Sequence, residues 1–183
     1  MKKIVIAVLL SAVAYCASAQ KAAIKTNLLY DATSTINLGV EIGLGTRWTI
    51  EAAGNYIPWK YGNARWKHWM IQPEIRYWTC ERFNGHFFGL HGHYAQYNVG
   101  GIGFNDNFRH NRYQGYLYGA GVSYGYQWII GKRWNLEAVI GLGYARLHDD
   151  KYPIAECGTC TRTRNYNYFG PTKIGLTLIY IIK

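Results

Sequence analysis

His91 and His93 stand one residue apart, and on an extended strand that spacing puts both imidazoles on one face. A His-x-His pair of this kind can ligate a metal, and His86 lies close by in sequence, with His68 and His110 in or beside other segments. A stable site needs three or four ligands, and no third residue has convincing spacing. The plainer reading is polar histidines hydrogen-bonded to Glu or Tyr, with no metal and no cofactor assigned. Cys157-Gly158-Thr159-Cys160 is a second candidate. A redox CxxC opens a helix in a thioredoxin-like setting, and none surrounds this one. In an exported chain Cys157 and Cys160 suit a small local disulfide, with metal binding, redox chemistry and free thiols as alternatives. Cys80 is then left unpaired. His148-Asp149-Asp150, with His110, could supply a base and its orienter. No serine nucleophile accompanies them, since Ser123 falls in mid-strand, and a base without a nucleophile is half a site. The chain is therefore read as a non-enzyme, with a lipid-modifying membrane hydrolase as the rival.

The elements that carry these residues alternate with period two. In Thr35–Leu44, Ile36, Leu38, Val40, Ile42 and Leu44 share one face, opposite Asn37, Gly39, Glu41 and Gly43. The same pattern recurs over Tyr116–Trp128, Trp134–Tyr144 and Ile174–Tyr180. Eight strand segments are predicted, at Lys21–Tyr30, Thr35–Leu44, Trp48–Ile57, His68–Cys80, His86–Gly100, Tyr113–Ile130, Trp134–His148 and Tyr166–Ile182. No helical segment long enough for a βαβ crossover lies between them. Gly45–Arg47, Glu81–Gly85 and Gly131–Arg133 are short connections; Pro58–Lys67, Gly101–Arg112 and Asp149–Asn165 are long ones. Up-and-down pairing sends the short turns to one end and the long loops to the other, the asymmetry of outer-membrane barrels. One echo supports the register: Leu44-Gly45-Thr46-Arg47-Trp48-Thr49-Ile50-Glu51 matches Ile130-Gly131-Lys132-Arg133-Trp134-Asn135-Leu136-Glu137.

Composition agrees. The 183 residues include 21 Gly, 17 Tyr, 7 Trp and 6 Phe but only 16% charged residues, a β-rich profile that excludes disorder, collagen and coiled coil. No long apolar run suited to a membrane helix follows the N-terminal segment. That segment has a basic start (Lys2, Lys3), an apolar stretch Ile4–Ala14 and a small-x-small site Ala17-Ser18-Ala19. It reads as a signal peptide over residues 1–19, with the barrel domain over 20–183. A membrane anchor, or a lipoprotein through Cys16, is a weaker fit. The net charge of +10 points toward anionic membrane surfaces rather than nucleic acid, because an exported protein rarely meets the latter.

The faces decide between a soluble and a membrane barrel. A soluble barrel hides its apolar face and exposes a charged one. Here the faces opposite the apolar ones carry mostly Gly, Ala, Asn, Ser and Thr, which suit a narrow eight-stranded interior. Trp48, Trp69, Tyr77, Trp128, Trp134 and Tyr180 fall near strand ends, where interfacial girdles lie. With the apolar faces outward, Lys25, Glu41, Glu51, Glu74, Arg76, Glu137 and Lys173 point inward, and burial requires that they pair. They form the expected lumen charge network, a salt-bridged filling; a gated ion path is the alternative. Pro73 falls on the outward parity and calls for a bulge.

Lys25-Thr26-Asn27-Leu28-Leu29-Tyr30-Asp31, Asn37-Leu38-Gly39-Val40-Glu41, Gly54-Asn55-Tyr56, Trp66-Lys67-His68-Trp69, Gln72-Pro73-Glu74, Arg76-Tyr77-Trp78 and Phe83-Asn84-Gly85-His86-Phe87 together resemble an outer-membrane barrel family of Bacteroides-like bacteria, the domain-of-unknown-function family 3575. The resemblance covers nearly the whole mature chain. It implies an outer-membrane β-barrel, brings no catalytic residues with it, and makes Pro73 an accepted irregularity.

The expected fold is all-β: an eight-stranded antiparallel up-and-down transmembrane β-barrel in the cell outer membrane. Its expected role is structural, anchoring or surface interaction; a lipid-modifying enzyme, a narrow channel and a soluble lipocalin-like periplasmic binder are the alternatives. The long loops place cations beside aromatics: Trp59, Lys60, Tyr61, Arg65, Trp66 and Lys67 in one, Phe104, Phe108 and Arg109 in the next, Arg162 and Arg164 in the last. Such pairs suit outer-membrane lipid and lipopolysaccharide, surface glycans or other envelope proteins as partners.

Overall fold

The computed structural model describes residues 22–61, 64–101, 111–153 and 160–182. The segment 1–19 expected to be a signal peptide, with Cys16, lies outside the described residues, as do His110, Cys157 and most of the 101–112 segment.

Alternation becomes strand throughout. The strands are β1 (Ala22–Asn27), β2 (Ile36–Gly43), β3 (Trp48–Ile57), the two-residue β4 (Lys60–Tyr61), β5 (Ala64–Trp78), β6 (Gly85–Gly100), β7 (Asn111–Ile129), β8 (Trp134–Pro153) and β9 (Arg162–Ile182). Each long strand pairs antiparallel with its sequence neighbour, β1 pairs with β9, and β3 pairs with β5, so eight strands close one ring with β4 as an appendage on β5. Closure pairs both edges of the sheet over the lower ring, while β9 above Thr177 runs beyond the end of β1.

Four expectations need correction. Pro58–Lys67 is not one long loop, since it holds β4 and the start of β5 at Ala64. The first strand stops at Asn27, not Tyr30, because the Asn27 side chain accepts from Leu29 N–H and caps a five-residue helix, α1 (Leu28–Ala32). The segment 149–165 is not one long loop: β8 runs on to Pro153 and β9 begins at Arg162, with Asp149 opposite Arg164 and Lys151 opposite Arg162. Pro73 needs no bulge, since the β5–β6 register is the same on either side of it. The bulge lies instead where Gly141 and Leu142 of β8 meet Lys173 and Pro171 of β9, which turns both Thr172 and Lys173 inward.

The two ends differ. Both described termini, Ala22 and Ile182, share the end of the short turns, and the same end holds the β2–β3, β5–β6 and β7–β8 connections. At the opposite end β6 to β9 outgrow β1 to β3, so one wall of the ring stands tall.

Apolar side chains face outward. Leu38 (59% exposed), Val122 (62%) and Ile140 (54%) are typical, while Glu41, Arg76 and Gln127 inside are fully buried. On β8 the outward series Trp134, Leu136, Ala138, Ile140, Leu142, Tyr144 is apolar for eleven positions and then turns polar at Arg146. Aromatic pairs edge this band. At the turn end Trp48 packs on Tyr77 and Trp134 on Tyr180, each with ring centroids 5.0 Å apart. At the other edge Trp69 packs on Tyr94 at 5.5 Å.

Candidate functional site

Inward parity brings the side chains of eight strands into one narrow space, and there they stack in layers. Nearest the turn end is an apolar floor of Ala23, Trp78, Phe83, Phe87 and Ile179, with Val139 in the same cluster. Phe83 comes from the β5–β6 turn. Its φ of 65° is uncommon for a residue with a side chain. It lets the ring tuck beneath the ring of strands against Trp78, centroids 6.1 Å apart, while its carbonyl accepts from Asn135 Nδ2 at 3.0 Å.

Above the floor the structure brings together Lys25, Glu41, Glu51, Glu74, Arg76, Glu137 and Lys173. Lys25 Nζ lies 2.6 Å from Glu41, 2.9 Å from Glu51 and 2.8 Å from Glu137. Arg76 is central, with its guanidinium 3.1 Å from Glu41, 2.9 Å from Glu137, 2.8 Å from Glu74 and 2.5 Å from Glu51. Its remaining face sits 4.4 Å from the centre of the Phe87 ring. Lys173 Nζ reaches Glu74 at 2.5 Å and Glu51 at 3.6 Å. The cluster holds four carboxylates and three cations. Hydroxyl donors help to meet the excess negative charge: Thr49 Oγ1 donates to Glu41 and Ser123 Oγ to Glu74. Every ion has several partners, the condition under which buried charge is tolerable. Between this cluster and α1 a cavity of about 40 Å³ is left, room for about one water.

The next layer is histidine against glycine. His91 Nε2 shares a hydrogen bond with Thr172 Oγ1 at 2.9 Å, and the His91 and His93 rings lie 5.9 Å apart. A side chain at Gly121 or Gly141 would press on His91, and one at Gly119 on His93, so these glycines make room for the rings. Nδ1 of both histidines is buried without a hydrogen-bond partner, and so is the amide of Gln127 lower down. Among the described residues no group of three or more His, Cys, Asp and Glu side chains is arranged to hold a metal. His86 instead faces outward, sharing a 2.7 Å hydrogen bond with Tyr124 OH.

At the mouth Tyr97, Gly115, Asp149 and Arg164 lie in one inward row across β6 to β9. With no side chain at Gly115, Tyr97 OH crosses β7 and donates to Asp149 Oδ1 at 2.9 Å. Burial, together with that hydrogen bond and the carboxylate's charge, raises the Tyr97 phenol above its usual range. The row also separates the His148-Asp149 pair considered for base chemistry. Asp149 points in, whereas His148 points out, stacks on Tyr116 at 5.0 Å and shares a 2.6 Å hydrogen bond with Asn165 Oδ1. Asp150, on the outer face with it, is 3.9 Å away. Ser123 is buried against Glu74, far along β7 from this pair.

Cys80 and Cys160 are exposed; Cys157, the other half of the CxxC, lies outside the described residues. So do Phe104, Phe108 and Arg109 and the side chains of Lys60, Tyr61, Arg65 and Trp66. Trp59 donates to the Ser34 carbonyl at 2.7 Å, which ties the β3–β4 connection to the end of the α1 turn.

Sequence reasoning missed Phe83, Thr172 and Gln127. A turn residue gives no parity signal, a bulge inverts parity without notice, and an uncharged amide in a strand does not attract attention.

A family model described as "Protein of unknown function (DUF3575)" matches residues 4–182, and the chain belongs to that family. Searches among curated proteins and among solved structures found no match.

Proposed function

We propose that this DUF3575 member is an exported outer-membrane β-barrel whose filled, ion-paired lumen anchors a tall hairpin wall for contact with envelope lipid and the cell surface. One observation carries the reading: the ring is inside out relative to a soluble barrel. The seven charged residues of its lumen are internal and paired, and the band outside them is apolar. In water such a surface would drive aggregation. In a bilayer it matches the solvent, and the eleven outward-alternating positions from Trp134 to Tyr144 agree with the roughly 9–11 residues that a tilted strand needs to cross hydrocarbon. The aromatic pairs at both edges fit the two interfaces. The termini and short turns then lie on the periplasmic side and the tall wall outside.

Fractionation with a heat-modifiability gel tests this. The protein should stay with outer membranes after a urea wash and migrate differently before and after boiling. Recovery in the aqueous fraction without a mobility shift would sink the reading in favour of a soluble binder. Planar bilayers should show no steady conductance, since the layers from Phe83 to His93 fill the section; a steady large current would favour the channel instead.

A further inference from the structure

The outer wall above the apolar band is chemically unlike the band. Register sets Tyr56, Trp69, Gln96, Tyr116, His148 and Asn165 directly across from one another on β3, β5, β6, β7, β8 and β9. One row below, Ile71, Tyr94 and Tyr118 continue into the apolar band on β5 to β7, while Arg146 and Asn167 hold that row on β8 and β9. One row above, Lys67, Asn98, Gln114 and Asp150 are fully polar. Successive rows on one face are two residues apart, about 6.5–7 Å. The middle row therefore sits where hydrocarbon gives way to headgroups.

This row is organised in advance of any ligand. Trp69 Nε1 donates to Gln96 Oε1 at 3.2 Å, and Gln96 Nε2 donates to Tyr94 OH at 2.9 Å. The Tyr116 ring is held against His148, which is held in turn by Asn165. Tyr56, Trp69 and Tyr116 nevertheless keep 51%, 40% and 39% of their surface exposed. A cleft of about 480 Å³ is lined by these rows together with His68, Tyr97 and Gly115 at the mouth.

Half-exposed rings held among amides are suited to sugars. A pyranose has a C–H face that packs on an aromatic ring and a hydroxyl edge that needs donors and acceptors together. Gln96, Asn98 and Gln114 supply both, and Asp150 supplies a strong acceptor. A bare phosphate would call for a fork of cations converging on one point; here Lys67 at the cleft rim is opposed by Asp150, and Arg146 lies a row below on β8, outside the cleft lining.

We propose that this strip binds the sugar headgroup of a glycolipid in the surrounding leaflet. The lipid linkage follows from continuity: below the strip on β5 to β7 the outward face runs through Ile71, Tyr94 and Tyr118 into Leu90 and Val122, against which acyl chains would lie. The proposal rests on the membrane-spanning reading above.

Native mass spectrometry of the full chain in phosphatidylethanolamine nanodiscs, with and without rough lipopolysaccharide, tests it. The wild type should retain one lipopolysaccharide molecule on release. Gln96→Ala with Tyr116→Ala should reduce retention about tenfold or more, as the loss of a ring contact and hydrogen bonds implies. Tyr180→Ala, at the opposite rim, should leave it unchanged. If the double variant fails to give the heat-modifiable form, Gln96→Leu, which removes only the amide, is read in its place. Equal retention by wild type and variants would overturn the proposal. So would equal competition by phosphatidylglycerol, which means a charge surface, or binding of delipidated core oligosaccharide as tight as that of the whole lipid, which means a soluble glycan. A chain that never enters the nanodisc would instead defeat the membrane reading itself.

Discussion

The ring has two halves, β1 to β5 and β6 to β9, that share an exterior and differ inside. The turns at 44–47 and 130–133 are the same device. Leu44 N–H donates to Trp48 O at 2.8 Å and Ile130 N–H to Trp134 O at 3.0 Å. The Arg47 carbonyl accepts from Trp78 N–H, and the Arg133 carbonyl from Ile181 N–H. Each arginine then donates to a tyrosine hydroxyl on the following strand, Tyr77 or Tyr180, and each tyrosine packs on the tryptophan that starts the hairpin's second strand. Aligning the halves on these turns sets Glu41 against Gln127, Gly39 against Gly125 and Glu51 against Glu137. Pairing with the next strand sets Arg76 against Ile179 and Glu74 against Thr177. Lys25, opposite Gly39, corresponds to Phe87, opposite Gly125. The halves answer to one solvent and so keep one outer face. Inside, the charge is concentrated in the first half, and both halves supply the apolar floor on which it rests, Ala23 and Trp78 from the first and Phe87, Val139 and Ile179 from the second.

The sharpest way to break this comparison is to remove its centre. Arg76→Met leaves four buried glutamates facing two lysines and should destabilise the barrel by about 3–5 kcal/mol. Ile179→Val, at the matching place in the other half, should cost only about 0.5–1.5 kcal/mol. Urea midpoints for refolding into lipid vesicles measure both, and equal losses would contradict a charge-centred first half.

The outer faces should respond alike. Val40→Arg and Ile140→Arg, one in each half, should each cost about 2–4 kcal/mol in the same vesicle assay if the sites are near the midplane. A large effect in one half and none in the other would mean that only one wall meets lipid.

The smallest effect separates the matched glycines. A Cβ at Gly125 would run into the Phe87 ring and the Ala138 carbonyl, so Gly125→Ala should cost about 1–3 kcal/mol. At Gly39 the nearest atom would be Lys25 Cβ at 3.3 Å, and Gly39→Ala should fall within about 0.5 kcal/mol of the wild type. Equal costs would show that the two interiors are packed alike.

Period-two alternation made the ring readable, because a sheet between two unlike environments must alternate. Trp48–Ile57 has the same bounds in sequence and structure. The parity of Glu41, Arg76 and Lys173 could be read, but which acid meets which base could not, since that depends on cross-strand register and on the bulge beside Pro171. The ends of β8 and β9 were hidden because Asp149, Asp150, Arg162 and Arg164 stand in a wall with no apolar face, and a strand polar on both sides looks like a loop. Leu28-Leu29-Tyr30 misled in the other direction: an apolar run continued the strand pattern while Asn27 was already capping a helix.

The Phe83 turn decides from which end the interior can be reached. With the floor sealed by Trp78, Phe83 and Phe87, whatever solvent reaches the upper lumen arrives from the tall-wall side alone. Among the described residues the ring is then a cup closed at its turn end. In the outer-membrane placement proposed above, that layer of aromatic rings would stand between His91 and His93 and the periplasmic side.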